Sequence, residues 1–321
     1  MTLDVRGLDA ADPAAVATYC SIRTSVDADD GETPESVAWE DATFPRQVWR
    51  FLAYLDGEPV GAASTGRLHI YGADHPRYYL GLWVLASARR RGAGTSLYRA
   101  ASDVARAQGR TGFRCWTTEV HREGIAFFLH RGFTEQDRSK AVALDLRRLR
   151  GSATAPLPAA GVPAGFALVT LADQPELVAG VHGVAVEAFP SIPSTPPMDP
   201  GSLEEFTARD VYRPGIPLDG FFVAIETATG EVAGYANLIY SAGSTTVADH
   251  DMTAVRPAFR GRGLALALKR ATIAWALAAG LDEIHANNDE ANAPMRSVNA
   301  RLGYRPLPDQ IGFAGPLAPV D

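Results

Sequence analysis

The hydrophobic pattern of the first half of the chain alternates short strand-like runs with longer helix-like segments. Strands are predicted where apolar residues alternate or run together, at residues 3–6, 51–55, 60–64, 78–84, 113–117 and 140–146. Helices are predicted over residues 95–108 and 124–131, and Asp12-Pro13 has the form of a helix N-cap followed by proline. This order of elements indicates a mixed α/β fold.

The second half of the chain repeats the first at a constant offset of 171 residues. The offset relates residues 84–97 to residues 255–268, and it also relates Gly132-Phe133 to Gly303-Tyr304. The repeat predicts a helix over residues 264–279, a strand over 283–286 and a helix over 294–302. An ungapped similarity of this length indicates that one ancestral domain is present twice.

The boundary between the copies is predicted from composition. Residues 151–165 are small residues, proline and glycine apart from Leu157 and Val162, and such a segment is typical of a linker. The sequence therefore predicts a first domain at residues 1–150, a linker at 151–165 and a second domain at 166–321.

Composition and charge narrow the class of protein. The chain has 321 residues, of which 46% are hydrophobic and 21% charged, which excludes intrinsic disorder. No apolar run approaches the ~20 residues of a membrane span, and no signal peptide is recognised, so we expect a cytoplasmic protein without a membrane partner. The two cysteines, Cys20 and Cys115, support neither a disulfide framework nor a cysteine-based zinc site, and no metal is expected.

The formal net charge of −7 is unevenly distributed. Residues 1–150 carry a net charge of +1 and residues 151–321 a net charge of −8. A basic face for nucleic acid is not indicated. An acidic half would attract a cationic substrate through its field, although the same charge also serves solubility.

Each copy contains an arginine- and glycine-rich loop between a strand and a helix. The loops follow the pattern Arg-x-x-Gly-x-Gly/Ala, from Arg89 to Gly94 and from Arg260 to Ala265. Small residues allow a ligand to approach the backbone, and a helix N-terminus favours a phosphate group. Neither loop ends in the Gly-Lys-Ser/Thr of a P-loop, and neither has the third glycine of a dinucleotide-binding turn.

These loops, followed some forty residues later by Gly-Phe or Leu-Gly-Tyr, resemble the GNAT superfamily of acyl-CoA-dependent N-acyltransferases. The resemblance covers both halves and implies two tandem GNAT folds, each a central mixed, mostly antiparallel sheet flanked by helices. It implies acetyl-CoA as the cofactor, bound where two strands splay apart, and Asn292 in contact with the coenzyme arm. The residues it assigns to the coenzyme in the two loops and their flanks are Val84, Arg89, Arg91, Gly92, Ala93, Gly94, Thr95, Val255, Arg260, Gly261, Arg262, Gly263, Leu264 and Ala265.

The chain departs from the family at the position of its usual acid. The resemblance places a tyrosine four residues before the final Gly-Phe/Tyr, where this sequence has Phe128 and Asn299. Phenylalanine transfers no proton, and Asn299 offers the leaving sulfur a hydrogen bond only. A tyrosine acid is therefore not expected in either copy.

A candidate base distinguishes the two copies. By strand alternation, Asp249, Asp251 and Thr253 share one face of the strand before the second loop, and His250 lies on the other. The equivalent strand of the first copy, residues 78–84, has no carboxylate or histidine. We therefore expect the second domain to be catalytic, with Asp251 as the leading base and Asp249 or His250 as alternatives.

Two further features complete the predicted site. Glu290 follows the next strand and is a secondary candidate base, and its counterpart Glu119 leaves the first domain a possible base of its own. The proline-rich residues 187–221 are expected to shape the substrate pocket.

The sequence favours acetyl transfer from acetyl-CoA to a primary amine of a small molecule, by direct attack in a ternary complex. Two alternatives stay open: a non-catalytic protein that binds or senses acyl-CoA, and an acetyltransferase of protein lysines or N-termini. The acceptor amine and the oligomeric state are not specified by the sequence.

Overall fold

The computed structural model describes residues 2–28, 30–150, 161–194 and 196–320. Residues 151–160 of the predicted linker lie outside the described residues, and residues 161–165 form neither helix nor strand. In the first half the elements are β1 (Leu3–Gly7), α1 (Pro13–Val26), α2 (Pro34–Thr43), β2 (Val48–Leu55), β3 (Glu58–Gly66), β4 (Arg77–Val84), α3 (Ala93–Ala107), β5 (Gly112–Thr118), α4 (Arg122–Leu129), β6 (Thr134–Asp145) and α5 (Leu146–Arg150).

The second half repeats this order with its own variations. Its elements are β7 (Phe166–Thr170), α6 (Val178–Ala188), α7 (Leu203–Phe206), β8 (Phe222–Glu226), β9 (Val232–Tyr240), β10 (Val247–Val255), α8 (Leu264–Ala278), β11 (Glu283–Asp289), α9 (Ala293–Arg301), β12 (Arg305–Pro306) and β13 (Gln310–Pro316). The predicted strands at 51–55 and 60–64, the strands before the two glycine loops and the helices after them are all present within a few residues of their expected bounds.

The chain forms two compact units whose bounds differ from the predicted domains 1–150 and 166–321. Unit 1 comprises Met1–Arg138 and Gln310–Asp321, and unit 2 comprises Ser139–Asp309. Residues 139–150 therefore belong to the second unit, and the end of the chain belongs to the first.

Strand pairing explains the difference. In unit 1, β13 pairs antiparallel with β5, from Gln310 opposite Thr118 to Pro316 opposite Gly112. In unit 2, residues 139–145 of β6 pair antiparallel with β11. An unpaired sheet edge exposes a row of hydrogen-bonding groups, and here β5 and β11 are each covered by a strand from the opposite half of the sequence.

The sheet of each unit is mixed and mostly antiparallel, as predicted. Among the described strands, β4–β5 and β10–β11 are the parallel pairs, and the other pairs are antiparallel. Helices cover both faces: α1 packs on Leu52 and Ala62, whereas α3 packs on the neighbouring Ala53 and Ala63. Strand alternation produces this division, because successive side chains point to opposite faces.

The structure predicts that unit 1 depends on the last strand of the chain. Phe313 is 1% exposed and packs with Phe128 and Phe133 in the core of unit 1. Truncation of a buried phenylalanine costs about 3–5 kcal/mol, so Phe313→Ala is expected to lower the free energy of unfolding of unit 1 by that amount. Urea denaturation in a Trp275→Phe background measures it, because the other four tryptophans lie in unit 1.

Val320→Ala is the matched control, since Val320 lies in the same terminal segment but is 76% exposed. Its effect should stay within about 0.5 kcal/mol. An unchanged unit 1 transition in Phe313→Ala would contradict the strand assignment.

Candidate functional site

The parallel strands of each unit separate after a short paired stretch. In the described residues, the pairing of β4 with β5 covers residues 77–79, and that of β10 with β11 covers residues 247–249. Residues 80–84 and 250–255 continue without this partner, so their backbone N–H and C=O groups on that side need another one. Each unit therefore has a cleft between two diverging strands, with peptide groups along one wall.

A glycine in the left-handed conformation starts the helix beside each cleft. Gly92 has φ +94° and precedes α3, and Gly263 has φ +86° and precedes α8. The first N–H groups of a helix have no partner within the helix and form a site for anions. Both loops therefore have the backbone geometry expected for a pyrophosphate.

The arginine that begins each loop has the same structural use in both units. Nε of Arg89 donates to the carbonyl of Val84 at 3.2 Å, and Nε of Arg260 donates to that of Val255 at 3.1 Å. The guanidinium groups continue to Glu123 at 2.6 Å and to Ser191 at 2.7 Å, respectively. These two predicted cofactor residues thus fix the loop to the end of its strand.

The other predicted loop residues differ in what they offer to a ligand. Ala93 and Leu264 are buried at 2% and 1% exposure and pack into the core, so only their backbone is available to a ligand. Side chains at the surface of the loops have partners in the protein: Thr95 accepts from Arg131 at 2.7 Å, and Arg262 lies over the ring of Phe259. The remaining small residues are Gly94, Gly261 and Ala265, whose short side chains let a ligand approach the backbone. The side chain of Arg91 is exposed.

The cleft of unit 1 contains a cavity of about 740 Å³. Its wall includes Trp83 and Trp116 from the diverging strands and Phe127 from α4. The cavity is also lined by Asp27 and His121, which sequence reasoning missed; Oδ2 of Asp27 lies 3.5 Å from Nδ1 of His121. The repeat offset places His121 at the position of Asn292, so the repeat could have identified it, whereas Asp27 lies in a loop without a motif.

One residue that lines this cavity, Phe128, belongs to an aromatic core cluster. Tyr98, Phe128 and Phe133 pack together in one core cluster. The hydroxyl of Tyr98 donates to the carbonyl of Pro316 at 2.8 Å, and burial raises the pKa of Tyr98 to about 12. As predicted from the sequence, Phe128 offers no proton donor here.

In unit 2, a β-bulge interrupts β10 at the predicted catalytic residues. His250 lies opposite Leu238, and the next paired residue is Met252, opposite Asn237, so Asp251 is an extra residue in the strand. A bulge of this kind re-aims side chains and often occurs beside active sites.

The bulge corrects one prediction made from alternation. Asp249, Asp251 and Thr253 were expected on one face, but the extra residue shifts the alternation. Met252 and Ala254 pack with Tyr235 beneath α6, so Thr253 points to the opposite face, away from Asp249.

The two predicted acids of β10 have different partners. Oδ2 of Asp251 accepts a hydrogen bond from Nδ2 of Asn237 at 2.9 Å, and the residue is exposed. Oδ2 of Asp249 accepts from the hydroxyl of Ser241 at 2.7 Å and is half-buried. Asp251 is therefore the more open of the two carboxylates.

A third carboxylate approaches Asp251 from the proline-rich segment. Asp210 lies on a π-helical turn, Thr207–Val211, directly after α7. The pKa of Asp210 is raised overall, mainly by burial. The charge of Asp251 also raises it, whereas the hydrogen bond and charge of the adjacent Arg209 lower it. The same two carboxylates, after burial itself, hold the pKa of Tyr235 well above its ordinary value. Residues 187–221 thus contribute a charged group beside Asp251, although the sequence gave no reason to select Asp210.

The opposite face of β10 meets a buried lysine. Burial and the positive charge of Lys269 hold the pKa of His250 well below its ordinary value, so His250 is neutral at pH 7. Burial lowers the pKa of Lys269 to about 7. Nζ of Lys269 donates to Oδ1 of Asn299 at 2.5 Å, and Nδ2 of Asn299 donates to Oδ1 of Asn288 at 2.6 Å. Sequence reasoning missed Lys269, whose signal was a single lysine in an otherwise apolar helix face.

The last two predicted residues lie around the end of β11. Oε2 of Glu290 is 3.8 Å from Nζ of Lys140, and the side chain is exposed. Oδ1 of Asn292 accepts from the backbone N–H of Met295 at 3.3 Å, so this residue caps α9. Its amide nitrogen is not engaged in that cap.

A search of the described ranges finds no group of three or more His, Cys, Asp or Glu arranged to hold a metal ion. No helix within the same ranges is both long and apolar enough to cross a membrane.

Comparisons with known proteins agree with this geometry. Residues 20–133 and 192–304 match the sequence profile of the acetyltransferase (GNAT) family. A mycothiol acetyltransferase of Clavibacter michiganensis subsp. michiganensis (strain NCPPB 382) is 29% identical over 252 residues, which span 78% of this chain and 74% of that protein. A solved tandem GNAT protein from the clavulanic acid biosynthesis pathway has a TM-score of 0.78 at 22% identity and full coverage of both chains.

A second solved structure, a GCN5-related N-acetyltransferase from Sphaerobacter thermophilus, has a TM-score of 0.67 at 19% identity, covering 99% of this chain and 97% of that one. These structures confirm the predicted fold, and the two profile matches fall one in each copy of the repeat. The chain therefore belongs to the GNAT family of acetyltransferases, as an enzyme with two GNAT domains in tandem.

Proposed function

We propose that the protein transfers the acetyl group of acetyl-CoA to a primary amine of a small molecule, by direct attack in a ternary complex within unit 2. The observation that carries this proposal is the bulge in β10, which presents the exposed carboxylate of Asp251 just where β10 leaves β11.

The residues of unit 2 suit a coenzyme that supplies a thioester. The unpaired backbone of residues 250–255 would hold the amide groups of the pantetheine arm, as a neighbouring strand does. The N–H groups after Gly263 would hold the pyrophosphate at the start of α8. Arg260 keeps this loop against Val255, so the strand and the anion site stay in register.

Asp251 would act on the amine. Its carboxylate, close to that of Asp210, favours a cationic group at the mouth of the cleft. When the amine nitrogen bonds to the thioester carbon, its N–H becomes strongly acidic, so a carboxylate is then basic enough to accept the proton. Asn237 fixes one oxygen of Asp251 through a hydrogen bond, which leaves the other free for the substrate.

A small-molecule acceptor is supported by the acidic second half of the chain and by the similarity to a mycothiol acetyltransferase. The cytoplasmic location and the absence of a nucleic-acid or membrane partner stay predictions from the sequence, as do the roles of Asp249, Glu290 and Asn292.

The proposal predicts the effect of removing the Asp251 charge. Asp251→Asn keeps the size of the side chain but accepts no proton, so kcat for acetyl transfer is expected to fall about 10²- to 10⁴-fold. Thiol release measured with acetyl-CoA and a panel of amines gives the rate. Asp249→Asn and Glu290→Gln are the comparison variants, each expected to lose less than about tenfold. A larger loss in Glu290→Gln than in Asp251→Asn would assign the role of base to Glu290 instead of Asp251.

A second function, acyl-CoA binding without transfer, is favoured for unit 1 by its cavity of about 740 Å³. The cavity lies beside the Gly92 loop, and Phe128, which lines it at the position of the family tyrosine, has no proton to transfer. Arg131 lies 3.5 Å from the centre of the Phe127 ring and hydrogen-bonds to Thr95, so a cation stands at the cavity wall. A resident coenzyme there would stabilise the unit by mass action.

The two assignments predict opposite results for a matched pair of variants at one position of the repeat. A Cβ at Gly94 would lie 3.2 Å from the ring of Phe127 and 3.7 Å from Val84, so Gly94→Val would narrow the unit 1 cleft. Ala265→Val makes the equivalent change in unit 2. Calorimetry with acetyl-CoA should show the unit 1 site weakened at least about tenfold in Gly94→Val, with kcat for transfer retained.

Ala265→Val should instead lower the rate of transfer at least about tenfold and leave the unit 1 site intact. If transfer is lost in Gly94→Val and retained in Ala265→Val, the chemistry belongs to unit 1.

A further inference from the structure

Lys269 is a buried amine without an anionic partner. Its side chain is 1% exposed, and no carboxylate pairs with its ammonium group among the residues that the structure describes. Its polar contact is the 2.5 Å hydrogen bond to Asn299. An ammonium group in an apolar interior is costly, so a lysine kept there without a salt bridge calls for an explanation.

The protonated lysine fixes the orientation of two side-chain amides, first that of Asn299 and then that of Asn288. A protonated lysine only donates, so Asn299 must accept through Oδ1. Its Nδ2 then faces Asn288, and Asn288 must in turn accept through Oδ1. The Nδ2 group of Asn288 is left as a donor, and no acceptor in the described part of the protein engages it. Asn288 is half-buried, so this donor is open to a ligand.

The position of Asn288 places this donor in the cleft of unit 2. The pairing of β11 with β10 ends at His285 in the described residues, and Asn288 lies three residues further along the diverging strand. The thioester of a bound acyl-CoA would lie between these strands. The repeat offset places Tyr98, Phe128 and Thr117 at the positions of Lys269, Asn299 and Asn288, so unit 1 lacks the polar series.

We propose that Lys269, Asn299 and Asn288 form a hydrogen-bond relay, through which the Lys269 ammonium strengthens the Nδ2 donor of Asn288 toward the negative charge that develops on the thioester oxygen and sulfur. This inference rests on the proposed acyl transfer in unit 2. Hydrogen bonds in a chain polarise one another, and preorganised donors in a dry site stabilise developing charge effectively. Asn288 would touch the reacting group, whereas Lys269 acts through Asn299 as a positioning residue.

No proton travels along the relay. The amine nitrogen forms its bond to the thioester carbon, the carbon–sulfur bond breaks, and the amine proton passes to Asp251. The sulfur leaves with the electron pair as a thiolate, which takes a proton from water. The relay only donates hydrogen bonds during these steps. Its middle residue, Asn299, occupies the position of the family tyrosine, but it stabilises the leaving sulfur, through Asn288, without transferring a proton to it.

The groups around Lys269 make its charge sensitive to pH. Among the described residues, the titratable groups that face it are His250 on β10 and Tyr304 after α9. The pKa of His250 is held well below and that of Tyr304 well above the ordinary value, both mainly by burial, so both are neutral near pH 7. The pKa of Lys269, lowered to about 7, therefore leaves it as the group whose charge changes in this region.

The first test uses the fact that the chain contains two lysines, Lys140 and Lys269. With ¹³C-labelled lysine, each ε-carbon gives a separate titration curve. Saturating CoA, whose sulfur is the probe, is expected to raise the midpoint of the Lys269 titration by about half a pH unit or more. Lys140 serves as the internal control, and Asn288→Ala should abolish the shift. A Lys269 midpoint unaffected by saturating CoA would overturn the relay.

The second test is kinetic. Lys269→Met keeps the length of the side chain but removes the charge, and kcat is expected to fall about tenfold or more, with KM for acetyl-CoA within about twofold. Asn288→Ala should give a similar loss, and the double variant no further loss, because the two residues act as one unit. Thr272→Val, a buried residue three positions further along α8, is the matched control and should leave kcat unchanged.

Retention of kcat within twofold in Lys269→Met, or fully additive losses, would contradict the relay. If Lys269→Met does not fold, Asn288→Ala decides alone, since it alters a half-buried side chain. If the wild-type protein acetylates no amine, the proposed function fails, while the Lys269 titration with CoA still decides whether the relay contacts the coenzyme.

Discussion

The separation of two parallel strands is the constraint on which both clefts depend. In the described residues, β4 and β5, and likewise β10 and β11, stay paired for three residues and then diverge. The divergence leaves peptide groups unpaired, and unpaired buried peptide groups are costly unless a ligand or water satisfies them. Because the diverging strand runs directly into the glycine loop, the same geometry also sets where an anion can lie. In the function proposed above, the coenzyme takes the place of a missing strand.

The two copies of the domain use this geometry differently. Unit 1 has a cavity whose lining includes Phe128, and Phe128 packs with Tyr98 and Phe133 in the core behind it. Unit 2 has carboxylates along β10 and, at the equivalent position, the hydrogen-bonded residues Lys269, Asn299 and Asn288. An apolar lining favours ligand binding. Polarised hydrogen-bond donors and a carboxylate favour catalysis, because they stabilise the charge that develops during acyl transfer. This difference underlies the proposed division of roles, with acyl transfer in unit 2 and acyl-CoA binding in unit 1.

Sequence reasoning identified the repeat, the loops and most of the strands and helices, because these depend on local pattern and composition. It did not identify the exchange of β6 and β13 between the halves, since a hydrophobic pattern predicts a strand but not its partner. It also placed Thr253 on the wrong face, because a bulge at Asp251 carries no local signature. Lys269 stood out in an apolar helix, but the sequence alone does not decide whether a lysine is buried or extends to the surface.

A crystal structure of the protein with acetyl-CoA tests the central claim most directly. The account predicts a thioester between β10 and β11 in unit 2, with its sulfur or carbonyl oxygen within hydrogen-bond distance of Nδ2 of Asn288 and with Asp251 facing the acetyl carbon across the space for an amine. Acetyl-CoA found in unit 1 alone, at a concentration that saturates the protein, would contradict it.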